Sequence, residues 1–234
     1  MKVKNTNDVG KDQLKMLIFG ESGSGKTTLA KTIKEPTIII SAESGLLSIA
    51  GSGIDVIDIT LDDEGKLLSK DKRIERLQEA YLYLLTPEAK AKYKWVFVDS
   101  LTEINSCMFD KLRVEFPDLS DNLKLYGQLA QNMRSLIKSF RDLPQYNVVL
   151  VALSAIDKDE NNKRFIGVDL IGKIAGQVNG YFDEVLYLHV DPENENKRVL
   201  ITGKTEKINC KDRSGRLAFK EEADLSAITT KIRG

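Results

Sequence analysis

Eight residues near the start of the chain restrict its fold more than any others. Gly20-Glu21-Ser22-Gly23-Ser24-Gly25-Lys26-Thr27 fits the phosphate-loop spacing G-x-x-x-x-G-K-[ST] at every defined position. Residues 14–19 (LKMLIF) read as a short buried strand, and residues 28–33 (TLAKTI) read as the start of a helix. Strand, glycine-rich loop and helix form the arrangement that phosphate binding requires. The glycines let successive backbone N–H groups turn inward as an anion nest, and the helix start at Thr28 adds a favourable partial charge. Lys26 can then reach the β- and γ-phosphates, while the Thr27 hydroxyl can ligate Mg²⁺. The implied ligand is a nucleoside triphosphate.

The rest of the composition removes other classes. A length of 234 residues suits one large α/β domain, here residues 14–234 behind a polar segment, 1–13, expected to be flexible. The 35 basic and 35 acidic residues cancel, so any nucleic-acid surface must be a local patch. Cys107 and Cys210 lie far apart with no C-x-x-C or histidine pairing, which argues against a disulfide scaffold or zinc site and for a reducing compartment. Apolar runs fall far short of the ~18 residues of a membrane span, and residues 1–8 hold no signal core. The expectation is a cytoplasmic protein with no membrane partner.

Residues 37–40 (TIII), 95–98 (WVFV) and 147–153 (NVVLVAL) are buried-type strands, and 52–59 alternates as a strand should. Helical stripes run through Ile74, Leu77, Ala80, Tyr81 and Leu84, then Leu101, Ile104, Met108 and Leu112, then Leu125, Leu129, Met133, Ile137 and Phe140. A polar loop is expected over 117–122 and a charged loop over 157–164. Two strands, 184–190 and 198–202, are expected to join through Asp191-Pro192-Glu193-Asn194. Strands alternate with helices to residue 153 and a strand-rich end follows. That order predicts an α/β three-layer fold with a mostly parallel central sheet and an antiparallel C-terminal extension.

Several polar residues fall at strand ends. Asp99 ends the strand VFVD, where α/β sheets bind ligands, and reads as a metal-side carboxylate or as the cap of the next helix. Glu43 follows IIISA onto the same sheet edge, and reads as a base for the attacking water or as a solvated loop residue. Ser154 ends the strand VVLVAL and could sense a γ-phosphate. Lys211 and Arg213, two residues apart on an extended segment, could stabilise transition-state charge, although on spacing alone an ordinary solvated charge pair is the better reading. His189, the single histidine, lies in a strand with no serine partner.

Taken in order, GESGSGKT, IISAES, VFVDS, VVLVALS and KDRSG resemble a RecA-type ATPase. The stretches LIFGESGSGKTTLA, IISAESG, FVDSLTEI, YGQ…FRDLP and KDRSG are similar to the RecA-core-only ATPases of bacteriophages, a single-strand-annealing (Sak) recombination group among AAA-domain phage proteins. The resemblance spans roughly residues 14–217. It implies ATP and Mg²⁺ as cofactors, Lys26 and Thr27 as phosphate and metal residues, Asp99 on the metal, Glu43 as general base and Ser154 as γ-phosphate sensor. It also implies that Lys211 and Arg213 enter a neighbouring subunit's site, making a homo-oligomer. Two loops would face single-stranded DNA: 116–124, offering Lys124, and 157–165, offering Lys158, Lys163, Arg164 and the ring of Phe165. Implied partners are single-stranded DNA and a single-strand-binding protein, in the cytoplasm of a bacterial host. Two other classes stay open: a small-molecule phosphotransferase, and a nucleotide-gated loader or regulator with little turnover. No N-K-x-D guanine-reading tetrad occurs.

Overall fold

Six strands run parallel through the centre of the molecule, and their sequences explain why they lie there. In a computed structural model describing residues 13–43, 45–118, 122–158 and 162–234, the elements are β1 (Lys15–Gly20), β2 (Thr37–Ser41), β3 (Asp55–Asp58), α1 (Lys70–Leu84), α2 (Pro87–Lys92), β4 (Trp95–Asp99), α3 (Leu101–Glu115), α4 (Asn122–Arg141), β5 (Asn147–Lys158), β6 (Arg164–Val168), α5 (Ile174–Gln177), β7 (Glu184–Asp191), β8 (Lys197–Ile201), β9 (Lys211–Asp212), β10 (Lys220–Glu222) and α6 (Leu225–Arg233). Among the described residues they form one sheet in the order β10-β8-β7-β1-β5-β4-β2-β3, with β6 on β5 and β9 on β7. The pairs from β7 through β3 are parallel, while β8, β10, β6 and β9 pair antiparallel. The expected parallel sheet with an antiparallel extension is present.

Strands buried on both faces read as unbroken apolar runs, and here alternate residues divide between two cores. Leu17, Phe19, Ile38, Ile40, Val96, Val98, Val148 and Leu150 face α1, α3 and α4. Met16, Ile18, Ile39, Trp95, Phe97, Val149 and Val151 face the opposite layer, which holds Leu29, Ala30 and the α6 residues Leu225, Ile228 and Ile232. Burying these last three side chains is worth roughly 5 kcal/mol. Backbone-directed bonds also fix α6: Leu225 N donates to Thr32 Oγ1 at 2.9 Å, and Ser226 Oγ donates to Thr32 O at 2.7 Å.

The structure differs from expectation in three places. The segment after the phosphate loop is a 3₁₀ stretch, Thr27–Thr32, and Ile33 is already extended (φ −80°, ψ 122°). Thr27, Thr28, Thr32 and Ile33 are all β-branched, and Pro36 lies close behind; both disfavour a longer helix. The loop expected over 157–164 is the upper part of a hairpin, because β5 continues to Lys158 and pairs with β6. Helix α6 stands where the sequence reading places no element. The segment expected to be flexible, apart from Gln13, lies outside the described residues, as do 119–121 and 159–161 of the two expected DNA loops. Among the described residues no helix is long and apolar enough to cross a membrane.

Candidate functional site

The phosphate loop leaves the C-terminal end of β1, the strand at the centre of the sheet. Only glycine fits at its first position: a Cβ on Gly20 would stand 2.7 Å from Leu188 O and 2.9 Å from Ser24 Oγ. Gly23 (φ +76°) and Gly25 (φ +98°) occupy the left-handed region that favours glycine. Ser24 N bonds Glu21 O at 3.2 Å and Leu29 N bonds Gly25 O at 3.2 Å, closing the loop at both ends. Glu21, Ser22 and Gly23 are exposed along its crest, while Thr28 is half-buried at the start of the 3₁₀ stretch.

Lys26 is 7% exposed, and its ammonium folds back to donate to Gly20 O (3.0 Å) and Glu21 O (2.8 Å). Burial lowers its pKa, opposed by the charges of Glu43 and Asp99. These carbonyls are placeholders that phosphate oxygens can replace with a stronger, charge-assisted bond.

The strand-end residues meet as the sheet order demands. Register aligns Ser41 with Asp99 and Asp99 with Val151, and Gly20 with Leu153, so the ends of β2, β4, β5 and β1 share one edge. Thr27 Oγ1 donates to Asp99 Oδ2 at 2.5 Å. Asp99 is 4% exposed; burial pushes its pKa up to about 6, the Thr27 bond pulling it down and Glu43 pushing it further up. Asp99 does not cap α3. That role belongs to Ser100, whose Oγ accepts from Glu103 N and donates to Glu43 Oε1. Glu43 is therefore held against the metal-side strand, and Ser41 Oγ donates to its backbone O at 2.5 Å. The Asp99–Ser100 peptide is cis. Ser154 sits one residue beyond Leu153 at the same edge, half-buried.

Thr27 and Asp99 fit Mg²⁺: two hard oxygen donors already in contact beside a triphosphate cradle. Among the described residues no group of three or more His, Cys, Asp or Glu could hold a metal. Mg²⁺ suits such a site because it takes most of its ligands from phosphates and water.

Lys211 and Arg213 lie elsewhere. Lys211 pairs with Val185, which aligns with Leu17, three residues before Gly20 and so about 10 Å down the sheet. Lys211 Nζ donates to Asn179 O at 2.8 Å, whereas Arg213 Nη1 pairs with Asp183 Oδ1 at 2.6 Å. The two cations, two residues apart, do not share one direction, as an extended segment would give, because β9 ends at Asp212 and Arg213 belongs to the turn. Neither cation can serve its own phosphate loop.

Above the site rises the β5–β6 hairpin. Lys158 stands directly opposite Arg164, and Ile156 opposite Ile166, so these four share one face. Phe165 is half-buried, its ring covering Gly167. Lys163 lies 3.8 Å from Glu206, and Lys124 is in the first turns of α4. Thr102, three residues past Asp99, ties both legs of the hairpin: its Oγ1 accepts from Leu153 N (2.9 Å) and donates to Asp169 O (3.0 Å).

Ser100, Thr102 and Arg198, whose side chain packs against Gly25, are neighbours of the site that sequence reading missed. Ser100-Leu101-Thr102-Glu103 does carry a capping-box spacing that could have marked Ser100 as the helix cap. Nothing local marks Arg198, which reaches the loop through sheet register alone.

A phosphate loop on the central strand of a parallel sheet, with a hydrogen-bonded threonine–aspartate pair and a glutamate beside it, defines a RecA-like P-loop ATPase domain. The chain belongs to the AAA-domain family, whose model (AAA_24) matches residues 12–214. Among solved structures it is similar in fold to a prototypical ATPase from the type III secretion system of pathogenic bacteria. The two superpose with a TM-score of 0.52 at 16% identity, over 80% of this chain and 55% of that one. This chain thus spans little more than half of that ATPase's length. No curated protein matches it.

Proposed function

We propose that this domain is an Mg²⁺-dependent, DNA-stimulated ATPase of the RecA-like single-strand-annealing class found in phages, with ATP sites completed by a neighbouring subunit. The observation that carries the DNA half is the cationic face of the β5–β6 hairpin. Lys158 and Arg164 are directly opposed like charges, an arrangement that is unfavourable alone and relieved by an anion between them. Ile156, 73% exposed, extends the same face with apolar surface for a base. The hairpin grows from the strand beside the phosphate loop, and Thr102 links its legs to the helix that follows Asp99. ATP binding and DNA binding thereby share one mechanical unit.

The shared-site half draws support from Lys211 and Arg213. They stand too far from their own phosphate loop, but on a surface a neighbour could present to it. Within the site, Lys26 holds the β- and γ-phosphates, Thr27 and Asp99 hold Mg²⁺, and Glu43 orients the attacking water.

The test is ATP hydrolysis with and without single-stranded DNA, for the wild type and for Lys158→Glu/Arg164→Glu. Stimulation in the wild type that the double variant lacks, with binding that weakens steeply as salt rises, is expected. Failure to bind single-stranded DNA in the presence of a non-hydrolysable ATP analogue would refute the DNA assignment. Transfer of phosphate to a small acceptor in place of water would reassign the enzyme as a phosphotransferase.

A further inference from the structure

On the flank of the phosphate loop away from Asp99 and Glu43, the space left by a missing side chain is filled by an arginine. A Cβ on Gly25 would stand 2.6 Å from Arg198 Nε and 2.9 Å from its Cζ, so the guanidinium packs against the loop's last glycine. Register explains the approach. Gly20 aligns with Leu188, and Val190, two residues on, pairs with Arg198 at the start of β8. Arg198 therefore emerges at the same C-terminal edge as the loop. Alternation puts it on the face of Leu200, which belongs to the core layer holding Leu29.

The cations around it are differently disposed. Lys197 pairs with Glu222 at 3.3 Å, and Lys220 lies 3.8 Å from Asp191. Arg198 is exposed, and among the described residues it has no ion pair or hydrogen bond. A guanidinium with five donors, no acceptor, and a position against an inward-turned backbone is suited to a bidentate anion contact.

We infer that Arg198 binds the nucleotide's diphosphate in its own subunit. The inference rests on the nucleotide-site reading and extends it to the β7–β8 hairpin. Asp99 ends β4 and Glu43 follows β2, both on one side of β1, so the γ-phosphate end points that way. Arg198 comes from the β7–β8 side and meets the loop at Gly25, where the backbone nest cradles the α- and β-phosphates. Its contact is thus shared by ATP and ADP and is indifferent to the γ-phosphate. Within the nucleotide cleft it adds to affinity alongside Lys26, while Asp99 and Glu43 set chemistry.

The experiment compares ADP and inorganic pyrophosphate, each with Mg²⁺, as competitors of a fluorescent ADP analogue on the full chain. Arg198→Gln should weaken ADP and pyrophosphate alike by about 10- to 100-fold, with Arg198→Lys intermediate. Lys26→Ala serves as the reference for the site itself. If Arg198→Gln binds ADP within about twofold of wild type while Lys26→Ala loses it, the Arg198 assignment falls and the nucleotide site stands. Loss of ADP without loss of pyrophosphate would move Arg198 to the nucleoside and overturn the diphosphate contact. Should Lys26→Ala bind ADP as wild type does, the nucleotide-site reading itself fails.

Discussion

Replacing Glu184 with glutamine should make stability less dependent on pH, and the size of that change follows from four neighbours. Glu184 opens β7, is 1% exposed, and faces Asp212 across the β7–β9 pair. Its Oε1 accepts from Ser214 N at 3.2 Å, while Oε2 is buried with no partner. Asp212 takes the better donors: Ser214 Oγ (2.6 Å), Gly215 N (3.0 Å) and Leu217 N (3.1 Å). Burial, and then the Asp212 charge, raise the Glu184 carboxyl from 4.5 to about 8, so it is protonated at neutral pH, beside an ionised Asp212. The unfolded chain releases this proton above about pH 4.5 and the folded chain holds it to about pH 8. Stability from this group is therefore complete below the unfolded value and is lost as pH rises, by roughly 1.4 kcal/mol per pH unit. Between about pH 5.5 and 7.5 the loss is on the order of 2–3 kcal/mol. A glutamine amide can donate to Asp212 at every pH and lacks this dependence. Urea unfolding of both proteins at the two pH values should show the stability difference moving by that amount in favour of Glu184→Gln. A difference that stays within about 0.5 kcal/mol would refute the protonated pair. The result also bears on the proposed function, since the pair anchors β9, which carries Lys211, and the turn that carries Arg213.

Two further outcomes concern the chemistry. Thr27→Ala removes one of the two metal donors, so Mg²⁺ should add little to the thermal stabilisation given by ADP, whereas Mg²⁺ should increase it clearly in the wild type. Glu43→Gln keeps an acceptor for the Ser100 hydroxyl while removing the base; ATP affinity should stay near wild type and turnover should fall about 10²- to 10⁴-fold, read by phosphate release.

Much of this arrangement is legible in the chain because parallel strands are buried on both faces. TIII, WVFV and NVVLVAL announce themselves without a partner, and each carries its polar residue at the end the sheet turns into a ligand edge. The phosphate loop could be read because glycine is required at fixed steps. The missed features depend on distant partners. Strand β6 (RFIGV) is short, opens on Arg164 and holds Gly167, and its pairing follows from continuation of β5 past Ser154. In α6, Leu225, Ile228 and Ile232 carry helical spacing, but they occupy nine residues of a tail that becomes a helix only by packing beside Thr32. Arg198 looks like any strand-edge cation until register sets it on Gly25.

In the proposed assembly one subunit supplies the phosphate loop and its neighbour supplies Lys211. Mixing two inactive variants, Lys26→Ala and Lys211→Ala, tests it most directly through ATP hydrolysis. In a head-to-tail assembly each interface pairs one subunit's loop with the next subunit's cation, so random mixing should restore about a quarter of wild-type activity. A mixture no more active than either variant alone would contradict the shared site.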